Sequence, residues 1–251
     1  GNEIEALICN DWPLPGLGTR PIGFGICPSS GLVLQSPTLE PADLATYYQN
    51  TATYINPGRA GKPREAKVRG LTRLLQITEQ CLGKIPERVF QGGCSDGYTL
   101  HRFKEAGANY VTGVDPCDSA HSVAKELYGI ETEIGTLEDY SRATADIDLL
   151  LLTHVLEHLY EPVDVLRNCS KLQKEGAWAL IEVPLLERPE LFPPGWLALE
   201  HLNYFTEETL LETITLGGYE PIYVGKYFTV DIYPVITVVA QKKTGCSLFQ
   251  S

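Results

Sequence analysis

Six consecutive residues, Gly92-Gly93-Cys94-Ser95-Asp96-Gly97, follow a short apolar stretch, and an aspartate, Asp115, closes the next one. Glycines at such a turn let a ligand approach the backbone closely, and a helix starting behind them offers unpaired N–H groups. Asp115 lies 18 residues beyond Gly97. A carboxylate at the tip of a second strand accepts hydrogen bonds from both hydroxyls of a ribose. The pair therefore predicts a nucleoside-bearing cofactor at the carboxyl ends of two neighbouring strands. The G-x-G-x-x-G spacing is absent from this turn, so it is not built for the pyrophosphate of a dinucleotide.

Two further groups carry chemistry. His154-Val155-Leu156-Glu157-His158 reads H-x-x-E-H, which is also an inverted zinc-peptidase signature. Two histidines four apart on a helix share a face and can both reach a metal. A peptidase needs that motif inside a long helix, whereas here it directly follows an apolar run over 147–153 and Pro162 begins the next helix. Packing and hydrogen bonding at a helix start is the plainer role for His158, and no metal is expected. Glu200-His201 sits in the loop-rich stretch 184–205. That stretch leaves a strand on the substrate side, and loops at a carboxyl edge are where catalytic groups are mounted. An imidazole titrating near neutrality suits proton abstraction.

The elements that must position these residues alternate. Strands are expected over 88–91, 110–115, 131–134, 147–153, 177–183, 221–227 and 232–241. Helices are expected over 64–82, 98–106, 119–128, 162–172 and 206–216. The run at 147–153 is apolar at every position but Asp148 and Thr153, as in a strand buried on both faces. Strand-helix alternation implies right-handed crossovers and a parallel sheet covered on both sides. The last two strands are joined by only a few residues and must run antiparallel. The fold class is thus α/β: a doubly wound, mostly parallel seven-stranded sheet with an antiparallel last strand, plus a small N-terminal hairpin and helix segment. The hairpin is expected at 22–27 and 31–35 around Pro28-Ser29-Ser30, with a helix over 41–49. Residues 1–62 read as an N-terminal lid segment and 63–251 as the main domain.

Composition narrows the partners. The formal net charge is −12, from 32 acidic and 20 basic residues, and such a surface repels phosphate backbones. No nucleic-acid partner is expected on that ground, and a small-molecule substrate is. The seven cysteines are odd in number and none has C-x-x-C spacing, which favours a reducing, cytoplasmic setting. No apolar run reaches the roughly 18 to 20 residues of a membrane span. No membrane partner is expected, and the oligomeric state is left open.

With these motifs in order, the chain resembles the class I S-adenosylmethionine-dependent methyltransferases. The resemblance rests on Val-Phe-Gln-Gly-Gly-Cys-Ser-Asp-Gly at 89–97, Val-Thr-Gly-Val-Asp-Pro at 111–116 and Gly-Thr-Leu-Glu at 135–138. It continues with Thr-His-Val-Leu-Glu-His at 153–158 and Glu-His-Leu-Asn-Tyr-Phe-Thr at 200–206. It implies a Rossmann-like fold with S-adenosyl-L-methionine as cofactor. By that likeness Gln91, Gly92, Gly93, Cys94 and Gly97 hold the methionine portion, and Asp115 with Pro116 the ribose. Thr136 and Leu137 flank the adenine, and Thr153 and His154 border the methionyl group. Gln91 stands where the family usually has an acid, and Ser95 where it has a glycine. The amide carbonyl of Gln91 can still accept from the cofactor's ammonium.

The chain is similar in particular to sugar C-methyltransferases, where a Glu-His pair carries the base. That implies His201 as base, Glu200 assisting, and a small metabolite such as a nucleotide sugar or glycan precursor as acceptor. In the same relatives a zinc-binding segment precedes the domain. Here Cys27 keeps one thiolate of that segment's C-x-x-C turn while Ser30 replaces the other, and Cys9 is the nearest remaining candidate. A degenerate, zinc-free hairpin is expected. Tyr48 and Tyr54 resemble residues lining the acceptor pocket, with His158 beside them. Two other readings compete: a catalytically retired binding module, suggested by Gln91 and Ser95, and a zinc peptidase through His154, Glu157 and His158.

Overall fold

The computed structural model describes residues 4–14, 16–44, 63–141, 145–187, 199–229 and 233–244. Strands β1 (Glu5–Leu14), β2 (Gly18–Ile26) and β3 (Val33–Gln35) come first, followed by α1 (Glu65–Leu82). Then come β4 (Arg88–Gly92), α2 (Tyr98–Glu105), β5 (Tyr110–Asp115), α3 (Asp118–Tyr128), β6 (Glu133–Ile134) and β7 (Ile147–Thr153). After these lie α4 (Pro162–Ser170), β8 (Gln173–Pro184), β9 (Asn203–Tyr204), α5 (Glu207–Leu216), β10 (Tyr219–Phe228) and β11 (Pro234–Lys242).

The main sheet has seven strands in the order β10-β11-β8-β7-β4-β5-β6. β4 through β8 run parallel, and β11 is antiparallel to both β8 and β10. The last strand in the chain is therefore the reversed one, slotted one place in from the edge. β7 lies at the centre, and Leu149, Leu150, Leu151 and Leu152 on it are buried alternately on the two faces. On one face Leu149, Leu151 and Leu180 pack with Leu71, Leu74 and Ile77 of α1, Phe103 of α2 and Ala124 of α3. On the other, Phe90, Leu150, Leu152 and Ile181 pack with Leu166 of α4 and Leu210 and Ile214 of α5. Helices thus cover both faces, as the strand-helix alternation requires. Thr206 caps α5, its hydroxyl accepting from the Thr209 N–H.

The N-terminal segment is larger than the expected hairpin. β2 and β3 flank the anticipated turn, with the Cys27 N–H donating to the Leu32 carbonyl at 2.9 Å. β1 adds a strand outside them, and β9 completes a four-stranded antiparallel sheet of order β1-β2-β3-β9. β1 is exposed along nearly its whole length, so it carries no apolar alternation by which to recognise it. Of the helix expected over 41–49, residues 41–44 are helical and the rest lie outside the described residues, as do Tyr48 and Tyr54. Among the described residues, no helix is long and apolar enough to cross a membrane.

Candidate functional site

The parallel register aligns Gln91 and Gly92 of β4 with Gly113 and Val114 of β5 and with Leu151 and Leu152 of β7. Asp115 pairs with Ile134 of β6. The carboxyl ends of four strands therefore converge, and the turn from β4 into α2 crosses them. Gly93 has φ 62° and Gly97 φ 74°. A Cβ on Gly93 would meet the Val155 Cγ2 at 2.6 Å, and one on Gly97 the Ala124 Cβ at 2.7 Å. Ser95 also sits in the left-handed region, at φ 48°, which explains why a glycine would be the easier residue there.

Asp115 fastens this turn. Its Oδ2 accepts from the Ser95 N–H at 2.8 Å and its Oδ1 from the Cys117 N–H at 2.9 Å. Burial raises its pKa, and those two N–H groups oppose the rise. Each oxygen keeps a second lone-pair direction for a further donor. Gln91 is 3% exposed, and its Nε2 donates to the Thr153 hydroxyl at 3.4 Å. Its Oε1 is buried with no hydrogen-bond partner. A buried amide oxygen left in this way costs about 1–3 kcal/mol, and a ligand donor such as an ammonium would relieve it. The residues present thus fit an amino-acid nucleoside. Leu137 packs against Gly92, where a Cβ would meet its Cδ2 at 2.7 Å, and Thr136 is exposed beside it, bonded to Asp139 at 2.9 Å. Pro116 is exposed just past Asp115. Cys94 is buried, and burial together with Asp115 pushes its thiol to about 12, so it serves packing.

The H-x-x-E-H motif does not form a helix. His154 has φ 55°, and Leu156–His158 make a single 3-10 turn, so the two histidines share no helical face. The peptidase arrangement is not met. His154 instead lies between two carboxylates, with Nδ1 3.5 Å from Glu157 and Nε2 3.9 Å from Glu182. Burial alone would depress its pKa, but the two acids outweigh burial and raise it. Glu182 also pairs with Arg73 of α1 and accepts from the Thr237 hydroxyl. Arg73, Glu182 and Thr237 were not singled out from sequence. An acid inside the apolar run Ala-Leu-Ile-Glu-Val was the signal available.

The fold pairs His158 with a different histidine. The rings of His158 and His201 meet edge to face at 4.9 Å between centroids, and Glu157 lies 3.8 Å from the His158 Nε2. Glu157 is 1% exposed, and neither carboxylate oxygen makes a hydrogen bond. His201 also packs against the Tyr204 ring at 5.9 Å. Burial pushes the His201 pKa down to about 4, Glu157 opposing and His158 reinforcing the drop. The imidazole is therefore neutral at pH 7 and weak as a base, far from the near-neutral value that suits proton abstraction. Glu200 contributes its backbone carbonyl, which the His158 Nδ1 contacts at 2.8 Å.

The N-terminal sheet holds this loop in place. The Gln35 amide donates to the carbonyls of Leu199 at 2.8 Å and His201 at 3.2 Å. From the other side, the Leu202 N–H donates to the Glu157 carbonyl at 2.8 Å and Asn203 Nδ2 to the Leu159 carbonyl at 2.7 Å. Gln35→Ala is expected to lower the unfolding free energy by about 1 kcal/mol, because it strands two part-buried carbonyls. Urea unfolding checks this, and an unchanged midpoint would remove Gln35 from the argument. The hairpin thiols do not meet. Cys9 stands opposite Gly23, four residues along β2 from Cys27, which is about 13 Å at strand rise.

Residues 64–224 match the family described as methyltransferase domain. A ubiquinone biosynthesis O-methyltransferase of Nitrosomonas europaea is 30% identical over 148 residues, covering 55% of this chain and 60% of that protein. One of Bordetella pertussis is 28% identical over 163 residues, covering 61% of this chain and 65% of that protein. The chain thus spans less than two thirds of the length of these curated relatives. Among solved structures, 1,6-didemethyltoxoflavin-N1-methyltransferase of Burkholderia thailandensis, with bound 1,6-didemethyltoxoflavin and S-adenosylhomocysteine, shares the fold at TM-score 0.67. It is 16% identical, with 95% of this chain and 99% of that one covered. An S-adenosylmethionine-dependent methyltransferase from Mesorhizobium loti matches at TM-score 0.57 and 17% identity, over 70% of this chain and 98% of that one.

Proposed function

The chain belongs to the class I methyltransferase-domain family, and we propose that it moves a methyl group from S-adenosylmethionine to a hydroxyl of a small molecule. The observation that carries the reading is the buried, unpartnered Oε1 of Gln91, close to a turn tied down by Asp115. S-adenosylmethionine supplies an already activated methyl on a sulfonium, so the protein's work is alignment and removal of a proton. Gln91 accepts from the cofactor's ammonium, Asp115 holds the ribose diol, and Gly92, Gly93 and Gly97 keep the turn clear of side chains. Leu137 and Thr136 flank the adenine, and Thr153 and His154 border the methionyl end.

On the acceptor side stand Glu157, His158 and His201, with the Glu200-His201 loop braced by Gln35. A hydroxyl acceptor is favoured over a nucleotide sugar's carbon, because the curated relatives are named as O-methyltransferases. Residues 1–62 serve as the lid segment and 63–251 as the transferring domain, with β9 lending a strand to the lid. Both departures from the family pattern are compatible with cofactor binding. Ser95 acts through its backbone N–H, and Gln91 offers an oxygen where an acid would. A retired binding module therefore gains nothing from them.

Gln91→Leu separates function from stability. It removes an unsatisfied buried oxygen, so the unfolding free energy is expected to hold or rise, while the Kd for S-adenosylmethionine rises about tenfold for one lost hydrogen bond. Calorimetric titration alongside urea unfolding measures both. An unchanged Kd would remove Gln91 from the cofactor site. Release of S-adenosylhomocysteine across phenols and nucleotide sugars then identifies the acceptor class.

A further inference from the structure

We propose that Glu157, His158 and His201 form a binding site for a divalent cation of the zinc type. Their ligand atoms all lie within 4.8 Å of one another. Zinc bonds of 2.0–2.2 Å place tetrahedral ligands about 3.4 Å apart, so side-chain rotation alone would close the trio around an ion. The sequence spacing that suggested a metal paired His154 with His158. The fold replaces His154 with His201, 43 residues beyond His158.

Two independent observations point to a ligand here. The first is Glu157, a carboxylate 1% exposed whose oxygens make no hydrogen bond, although one of them lies within 4.8 Å of the ligand nitrogens of His158 and His201. Burying a carboxylate is costly unless a counter-charge meets it; His154, its Nδ1 3.5 Å from Glu157, supplies part of that charge from one side, and a cation between the three side chains would add to it from the other. The second is the way His158 is held. Its Nδ1 contacts the Glu200 carbonyl at 2.8 Å, and a carbonyl can only accept, so that nitrogen carries the proton. Its Nε2 lies 3.8 Å from the Glu157 Oε1. A ring N–H donated to a backbone carbonyl is also the usual support of a metal-bound histidine.

Two imidazoles and one carboxylate favour zinc and similar first-row ions over magnesium or calcium. Three protein ligands leave a fourth position open. Resting on the methyltransferase reading, that position takes the acceptor's hydroxyl oxygen. The ion lowers the hydroxyl's pKa, its proton leaves to solvent, and the oxygen is held as an anion facing the methyl donor. His201 then serves as a ligand rather than as the base.

The test is calorimetric titration of the chelator-stripped full chain with zinc chloride. One zinc per chain is expected, with the Kd rising on the order of 100-fold or more in Glu157→Gln, His158→Ala and His201→Ala, given that even supporting groups cost 10- to 100-fold. Circular dichroism confirms that each variant is folded. Cobalt(II) on the unmutated protein gives a second readout that needs no variant, since the proton resonances of two histidine rings, His158 and His201, should shift. No zinc uptake at millimolar concentration would overturn the proposal. So would binding that survives His201→Ala, binding lost in Cys27→Ser, or a cobalt shift at His154 in place of His201. Titration of the zinc-free protein with S-adenosylmethionine reports on the cofactor reading separately, so the two can fail independently.

Discussion

Replacing Asp115 by alanine is expected to raise the Kd for S-adenosylmethionine about a hundredfold or more. Hydrogen bonds to a charged acceptor contribute about 1.5–3 kcal/mol each, and two are lost with the ribose. The turn also loses its fastening, because the Ser95 and Cys117 N–H groups no longer have an oxygen to meet. Asp115→Asn should fall between the unmutated protein and Asp115→Ala, since one of those N–H donors would then face an amide NH2. Asp96 is the control. It accepts from Lys67 at 2.8 Å and from the Tyr98 N–H at 3.2 Å, and Asp96→Asn should leave the affinity within a few-fold. Calorimetric titration of the three variants decides the matter, and equal losses in Asp96→Asn and Asp115→Ala would argue for general loss of charge instead.

The same contact has a pH signature. Only the ionised carboxylate accepts from both ribose hydroxyls, and burial raises the Asp115 pKa above its ordinary value of 3.8. Protonation on acidification therefore begins at a higher pH than for an exposed aspartate, and cofactor affinity falls with it. The affinity is expected to be full at neutral pH and to decline as pH drops through that raised value. A decline that persists in Asp115→Asn would belong to another group.

Arg73→Ala is expected to lower the unfolding free energy by about 3–5 kcal/mol, the usual cost of removing one partner of a buried ion pair. Glu182 is 5% exposed, and the Arg73 guanidinium is its cationic partner as well as lying over the Tyr227 ring at 4.4 Å. Without it, a buried carboxylate keeps, among the described residues, the Thr237 hydroxyl and a His154 nitrogen 3.9 Å away. Replacing both partners removes the stranded charge. The double variant Arg73→Met, Glu182→Met should therefore recover most of the loss. Guanidinium unfolding of the single and double variants measures this. If the double variant is as unstable as Arg73→Ala, packing rather than charge explains the loss.

The strand-helix alternation was legible because its determinants are local. A mostly apolar run such as 147–153 must be buried on both faces wherever it occurs, and the left-handed backbone of a tight strand-to-helix turn favours glycine at Gly93 and Gly97 through local sterics alone. Thr206 caps α5 through residues three positions apart. The edge strand β1 was not legible, because exposure erases the alternation that marks a strand.

What residues 154–158 do was decided by tertiary structure. Read along the chain, His154 and His158 stand four apart as if on one helical face. A left-handed backbone at His154 and a single 3-10 turn prevent that, and the residues leading into β9 bring His201 against His158 instead. Asp115 was placed at the strand tip by sequence, yet its hold on the Ser95 and Cys117 N–H groups exists only once β4 and β5 lie side by side. Glu182 likewise found Thr237 and Arg73 through sheet register and helix packing. Sequence periodicity sets which face of each element is buried. Which charged groups meet depends on how the elements are laid together, and contacts between residues far apart along the chain leave no periodic trace in it.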